Sequence, residues 1–188
     1  MGATGAAGAT GAAGAFRAGE TGLIIKVSEA QSVVSRWRSR FDPAAAAGVP
    51  AHITALYPFL PQHRVDAAVL AELAAVFGTH RAFEVQLSQS RRFPGVLYLA
   101  PEPDVGLRAL TRAIAARWPE APPYRGQFAD VVPHLTIAHS QDPQVLDAIE
   151  ADVGGQLPVA AQIAAVQLIA YVGERWIQVR SFGLAPCD

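Results

Sequence analysis

The chain has 188 residues, half of them hydrophobic, and its 15 basic and 16 acidic side chains leave a formal net charge of −1. Because domains that bind long nucleic acids are usually basic, this balance argues against an extended nucleic-acid surface and favours a small phosphorylated ligand or an RNA end. No run of about 18 apolar residues suggests a membrane helix, and the single cysteine, Cys187, excludes an internal disulfide and fits a cytoplasmic location.

Residues 1–20 carry glycine at every third position from Gly2 to Gly14, with alanine and threonine between. A collagen strand would need proline, a dinucleotide-binding fingerprint would need a preceding strand, and a signal peptide would need a basic start with bulky apolar residues. The segment has none of these features. We therefore predict a disordered low-complexity tail over residues 1–20 and a single domain over residues 21–188.

The rest of the chain alternates between β-branched, apolar stretches typical of strands and stretches with apolar residues at helical spacing. In chain order the pattern predicts strand 21–27, helix 28–41, loop 44–50, strand 51–57, helix 65–77, strands 82–88 and 96–99, helix 105–118, loop 119–130, strand 132–139, helix 142–153 and strands 164–171 and 175–182. Ser28 and Asp142 are the predicted N-caps. The last two strands form an antiparallel hairpin around Gly173, so the mixture favours an α+β fold over a doubly wound parallel sheet.

Two short segments in predicted strands share the order His, apolar residue, Thr; they read AHITAL (51–56) and PHLTIA (133–138). Since strand side chains alternate between faces, His52 and Thr54 share one face of the first strand, and His134 and Thr136 share one face of the second. A single such motif is common by chance. Two copies 82 residues apart suggest two similar lobes that each contribute one strand to a shared cleft. The simpler alternative is a pair of buried, hydrogen-bonded structural histidines.

The motifs resemble those of the two-histidine (2H) phosphoesterase superfamily, most closely its 2′-5′ RNA ligase-like, cyclic phosphodiesterase branch. The likeness is best over residues 52–59 (HITALYPF) and 133–138 (PHLTIA), extends more loosely over 21–138 including 96–101 (VLYLAP), and is weak in the last 45 residues. The resemblance implies a bilobal α+β fold, in which two mainly antiparallel sheets with pseudo-two-fold symmetry frame a central cleft and the helices lie outside.

The resemblance also implies hydrolysis of 2′,3′-cyclic phosphates, or reversible 2′-5′ linkage, on RNA ends or small nucleotides. His52 and His134 would be the catalytic residues of this hydrolase, and Thr54 and Thr136 would bind the phosphate. The chemistry of the groups agrees, because imidazole, with an ordinary pKa of about 6.5, can both take a proton from water and give one to a leaving ribose oxygen. Threonine hydroxyls can stabilise the charged phosphate oxygens. No metal or cofactor is required, and either histidine could be the base.

A few other residues invite functional interpretations. Tyr98 and Phe128 could stack on a nucleobase, although core or loop packing accounts for each more simply. His139 lies at an odd offset from His134 and is expected to face away from the cleft. It could join His52 and His134 in a zinc site, but no carboxylate or cysteine follows a familiar ligand spacing, so we predict no metal.

The surface arginines Arg91, Arg92 and Arg125 could meet a phosphate, but they are expected to be solvated. Two alternatives to the metal-independent enzyme stay open. One is a non-catalytic module of the same fold that binds a phosphorylated metabolite, and the other is a metal-dependent hydrolase. The sequence does not identify the substrate, the direction of the reaction in RNA processing, or the oligomeric state.

Overall fold

The computed structural model describes residues 16–140 and 142–186, so residues 1–15 of the predicted tail and Cys187 lie outside the described residues. The helices and strands of this part follow in the order β1 (Thr21–Lys26), α1 (Gln31–Phe41), α2 (Pro43–Ala46), β2 (His52–Leu56), α3 (Ala67–Gly78), β3 (Phe83–Phe93), β4 (Val96–Glu102), α4 (Val105–Arg117), β5 (Leu135–His139), α5 (Pro143–Gly154), β6 (Val159–Ile163), β7 (Ala165–Tyr171) and β8 (Trp176–Gly183). None of these helices combines the length and the apolarity that a membrane-spanning helix needs.

The strands form two four-stranded sheets, in the orders β2-β1-β7-β8 and β5-β4-β3-β6. Every paired strand within them is antiparallel. Each sheet therefore has one motif strand at its edge, β2 in the first and β5 in the second, and these two strands contact each other. The α+β fold with two antiparallel sheets that the sequence predicts is confirmed.

Helices α1 and α4 each pack against the half of the fold opposite to the strands that they connect. Helix α1 connects β1 to β2 of the first sheet but contacts β5 of the second, whereas α4 connects β4 to β5 and contacts β2 of the first. Helix α3 lies against β8, and α5 against β3 and β4. Each motif strand is thus covered by a helix from the other half.

One continuous apolar core joins the two sheets. Ile53 and Leu135, the apolar residues between His and Thr of the two motifs, are both fully buried in it. Leu23 of β1 and Leu97 of β4 belong to the same core. Burial of such a side chain stabilises a fold by about 1.5–3 kcal/mol, so the apolar face of each motif strand fixes the orientation of its polar face.

Helix starts agree with the prediction where a carboxylate marks them. Asp142 accepts a hydrogen bond from the backbone N–H of Gln144 and so caps α5, as its position before Pro143 predicts. Ser28 makes no such bond, and the helix predicted from residue 28 begins three residues later, after a 3-10 turn over Ser28–Ala30. The predicted loop 44–50 contains part of α2, a single turn capped by Asp42.

Strand β6 was not predicted, because Val159–Ile163 (VAAQI) contains small residues with a weak strand preference. It forms through its pairing with β3. Strand β3 itself continues five residues beyond the predicted end at Ser88, through polar residues that pair with β4. In both cases the pairing with a neighbouring strand, rather than the local apolar pattern, determines which residues form the strand.

Residues 16–20, which the sequence assigns to the tail, pack onto the first sheet. The Phe16 ring meets the ring of Trp176 edge-on, at a centroid distance of 5.3 Å. The backbone N–H of Gly19 donates to the carbonyl of Tyr171, and Glu20 accepts a hydrogen bond from the Tyr57 hydroxyl at 2.9 Å. These five residues therefore belong to the fold.

A buried ion pair fixes the end of α1 next to β2. Arg38 donates to the Asp42 carboxylate through Nε at 2.9 Å and through a terminal nitrogen at 2.6 Å, and both side chains are 2% exposed. Arg38 also donates to the carbonyl of Val49 at 3.3 Å, and Asp42 accepts from the backbone N–H of Ala44. The pair joins α1, α2 and the segment that leads into the first motif.

We expect Asp42→Asn to lower the free energy of unfolding by about 3 kcal/mol, because it leaves a buried guanidinium without its counter-charge. Urea unfolding followed by circular dichroism measures this. Glu102→Gln is the matched control, since it removes the charge from the exposed Arg91–Glu102 pair, which we expect to contribute about 0–1 kcal/mol. Equal losses in the two variants would contradict a structural role for the buried pair.

Candidate active site

The first motif strand carries a β-bulge immediately after its threonine. Between Thr54 and Leu56 the pairing of β2 with β1 shifts by one residue, so that Ala55 is an extra residue in β2. An extra residue inverts the side-chain alternation beyond it. Ala55 and Leu56 consequently both enter the core, and Tyr57 lines the same cleft as Thr54.

The second motif strand repeats this bulge at the equivalent position. The pairing of β5 with β4 shifts between Thr136 and Ala138, so Ile137 is the extra residue. Ile137 and Ala138 are both in the core, and His139 lines the cleft. The prediction that His139 faces away is therefore wrong, because it assumed a regular strand.

The two motifs line one open cleft. The four predicted motif residues, His52, Thr54, His134 and Thr136, all contribute to the lining. Further polar groups that sequence reasoning did not place there are those of Asp42, Tyr57, Tyr124 and His139.

One wall of the cleft is apolar and comes from the first sheet and the segments beside it. Its side chains are those of Phe16, Ile24, Val49, Ile169 and Trp176. The Trp176 ring is 6% exposed and meets the rings of Phe16 and Tyr57 edge-on. The cleft thus offers polar groups on the motif strands and a hydrophobic surface next to them.

The two motif imidazoles are held in the same way. Nδ1 of His52 lies 2.8 Å from the carbonyl oxygen of Pro50, and Nδ1 of His134 lies 2.8 Å from that of Val132. In each case the carbonyl is two residues upstream and can only accept, so Nδ1 carries the hydrogen. The neutral rings therefore keep an unprotonated Nε2, which is the nitrogen available for proton transfer.

Burial keeps these histidines neutral. It lowers the pKa of His52 to about 4, an effect that the nearby Arg38 cation strengthens and the hydrogen bond to Pro50 opposes. Burial likewise lowers the pKa of His134, and the hydrogen bond to Val132 opposes this shift. The pKa of His139 is also lowered by burial and, further, by Arg38, against the influence of Asp42.

The two residues predicted to stack on a base contact side chains that line the cleft and are not themselves part of its lining. Tyr98 is stacked on Phe93 at 4.3 Å and meets the ring of His134 at 5.4 Å, so it supports that imidazole. Phe128 packs edge-on against Tyr124 at 5.6 Å. Neither is among the side chains that line the cleft.

The arginines proposed as phosphate contacts are paired with carboxylates. Arg91 donates to Glu102, Arg92 to Asp147 and Glu150, and Arg125 to Glu20. Each of the three lies outside the lining of the cleft. The polar groups that face the cleft come instead from the motifs and their surroundings.

Sequence reasoning missed Tyr57, Tyr124 and His139. Tyr57 and His139 each follow a motif histidine by five residues, so a shared offset was present in the sequence. A regular strand would place that offset on the opposite face, and only the bulge reverses it. Tyr124 comes from the loop before the second motif, where no local pattern marks it.

A metal site is not apparent in the described part of the chain. Within residues 16–140 and 142–186, no group of three or more His, Cys, Asp or Glu side chains is placed to hold a metal ion. His52, His134 and His139, the set considered from the sequence, line one cleft without forming such a group.

Solved structures share this fold at low sequence identity. E. coli LigT complexed with 3′-AMP matches with a TM-score of 0.59 and 17% identity, over 89% of this chain and 99% of that one. E. coli LigT complexed with NADP+ matches with a TM-score of 0.55 and 18% identity, over 90% and 99% of the two chains. TT0787 of Thermus thermophilus matches with a TM-score of 0.60 and 16% identity, over 90% and 100%.

No curated protein matches the chain at a significant level of sequence similarity. The family model described as the 2′-5′ RNA ligase superfamily, in contrast, matches residues 26–175 and so spans both motifs and the whole of the second sheet. The chain belongs to the 2′-5′ RNA ligase superfamily of two-histidine phosphoesterases.

Proposed function

We propose that this protein is a metal-independent phosphoesterase that hydrolyses 2′,3′-cyclic phosphates on RNA ends or small nucleotides. One observation carries the proposal. Two imidazoles at equivalent positions on neighbouring edge strands line one cleft, each fixed through Nδ1 and each two residues from a threonine. Two proton-transfer groups beside two hydroxyls are what the opening of a cyclic phosphate requires.

In the proposed reaction a water molecule attacks phosphorus and the bond to one ribose oxygen breaks. One imidazole accepts the proton of the water through Nε2, while the other, as imidazolium, donates a proton to the departing ribose oxygen. The product is a ribose 2′- or 3′-phosphate, and the two histidines have exchanged one proton. The hydroxyls of Thr54 and Thr136 line the same cleft and would hold the non-bridging oxygens.

We assign the base to His52. Arg38 lies near this imidazole and disfavours its protonated form, whereas no arginine or lysine of the described residues influences His134 in this way. A histidine kept neutral suits proton abstraction, and His134 can then supply the proton for the leaving group. The formation of a 2′-5′ linkage would use the same groups with their roles reversed.

The lining of the cleft favours a nucleotide or a terminal nucleotide as substrate. The apolar wall around Trp176 could receive a base or the face of a ribose, since stacking on aromatic side chains tolerates any base. The solved structures of E. coli LigT contain 3′-AMP and NADP+, which supports the same class of ligand.

The first test is turnover of the four 2′,3′-cyclic nucleotide monophosphates in EDTA. We expect hydrolysis in the wild type and a loss of at least about 100-fold in His52→Asn and in His134→Asn, the scale for a lost acid or base. Asparagine retains a donor for the carbonyl of Pro50 or Val132, so these variants isolate proton transfer from anchoring.

His63→Asn is the matched control, because His63 is exposed and lies outside the cleft lining. Activity that EDTA abolishes and zinc restores would refute the metal-independent mechanism and favour the metal-dependent alternative. Binding of nucleotides without turnover would favour the binding-module alternative.

The pH profile of kcat/KM provides a second test. The low pKa of His52 keeps the base unprotonated, and so active, down to about pH 4. Because the pKa of His134 is also lowered, the acid loses its proton at a pH below 6.5, the ordinary pKa of an imidazole. We therefore expect a bell-shaped profile with its maximum between about pH 4 and 6.5. A maximum above pH 7 would contradict neutral, buried imidazoles in the free enzyme.

The assignment of acid and base is tested with a changed leaving group. A nucleoside phosphodiester with a p-nitrophenyl leaving group needs no proton from an acid, because p-nitrophenolate departs unaided. We expect His134→Asn to recover most of its lost activity on this substrate, and His52→Asn to recover none. The opposite pattern would show that His134 is the base.

A further inference from the structure

The loop before the second motif contains a strained turn. Tyr124 (φ 49°, ψ 35°) and Arg125 (φ 56°, ψ 28°) are consecutive non-glycine residues in the left-handed region, and Gly126 follows with φ 73°. L-residues with side chains adopt this conformation at an energetic cost, so the surrounding structure must hold it. Two such residues in succession therefore need contacts around the turn that hold this conformation.

Contacts on both sides of the turn hold it in place. The backbone N–H of Tyr124 donates to the carbonyl of Tyr57 at 2.7 Å, which docks the turn onto the end of the first motif. The Arg125 guanidinium donates to Glu20 at 3.1 Å, and the same carboxylate accepts from the Tyr57 hydroxyl. The ring of Phe128 packs against that of Tyr124.

Hydrophobic packing does not account for this arrangement. Tyr124 is half-buried and belongs to none of the apolar clusters of the described residues. Its side chain lines the cleft together with that of Thr54. The strained turn therefore brings a phenol hydroxyl into the cleft that the motif residues line.

The phenol is equipped to donate a hydrogen bond. Burial raises the pKa of Tyr124 to about 12, so the phenol keeps its proton at neutral pH. A protonated phenol can donate that hydrogen to an oxygen of a ligand.

We propose that Tyr124 is a phosphate-binding residue that donates a hydrogen bond to a non-bridging oxygen of the ligand in this cleft, beside the two motif threonines. The inference rests on the proposed function for the identity of the ligand as a phosphate.

The test is Tyr124→Phe, which retains the ring and its contact with Phe128 and removes only the hydroxyl. Binding of inorganic phosphate and of 3′-AMP is measured by calorimetry, and kcat and KM are measured with the cyclic nucleotide that the wild type turns over fastest. We expect the dissociation constants to rise about 10–100-fold, the range for a hydrogen bond to a charged group, with an unchanged melting temperature.

Tyr171→Phe is the matched control, since it removes a tyrosine hydroxyl at a position outside the cleft lining. Thr54→Val should weaken phosphate binding too, and the double variant should lose more than Tyr124→Phe alone, because each hydroxyl then binds the phosphate itself.

Unchanged or tighter phosphate binding in Tyr124→Phe would overturn the inference, and tighter binding would show that Tyr124 instead blocks the site. Absence of phosphate binding in the wild type would overturn it as well. Because binding is measured without turnover, a wild type that binds phosphate but hydrolyses no cyclic nucleotide would refute the proposed function alone.

Discussion

The structure depends on the burial of two edge strands under helices from opposite halves of the chain. Helix α1 covers β5 and α4 covers β2, so neither motif strand can adopt its position until the other half is in place. The apolar residue at the centre of each motif, Ile53 or Leu135, enters the common core. Two histidines far apart in sequence are thereby brought to one cleft by hydrophobic packing, without any direct bond between them.

The same burial sets the chemistry of the site. Removal of the imidazoles from water disfavours their charged form, and the carbonyls of Pro50 and Val132 offset part of that cost while they select the tautomer. The buried Arg38–Asp42 pair also acts through its charges on the pKa of His52 and on that of His139. Stability and reactivity are therefore coupled through side chains that do not belong to the motifs.

Much of the fold and the central part of the site followed from the sequence. The alternation in HITAL and HLTIA placed each His and Thr on one face, and the capping of α5 by Asp142 was readable from the Asp-Pro pair. The sequence did not show that Tyr57 and His139 face the cleft, because a β-bulge depends on the register of the neighbouring strand. Tyr124 escaped detection for a similar reason: its position depends on its own contact with Tyr57 and on that of Arg125 with Glu20, and both partners are distant in sequence.

The packing of residues 16–20 bears on where the chain can be shortened. A worker who trims the glycine- and alanine-rich stretch up to the first strand would also remove Phe16, which forms part of the hydrophobic wall, and Glu20, which joins Tyr57 to Arg125. The shortened protein would retain both sheets and every motif residue, yet its cleft would lose Phe16 from the apolar wall and the carboxylate that holds Arg125. A boundary placed before Phe16 keeps both of these contacts.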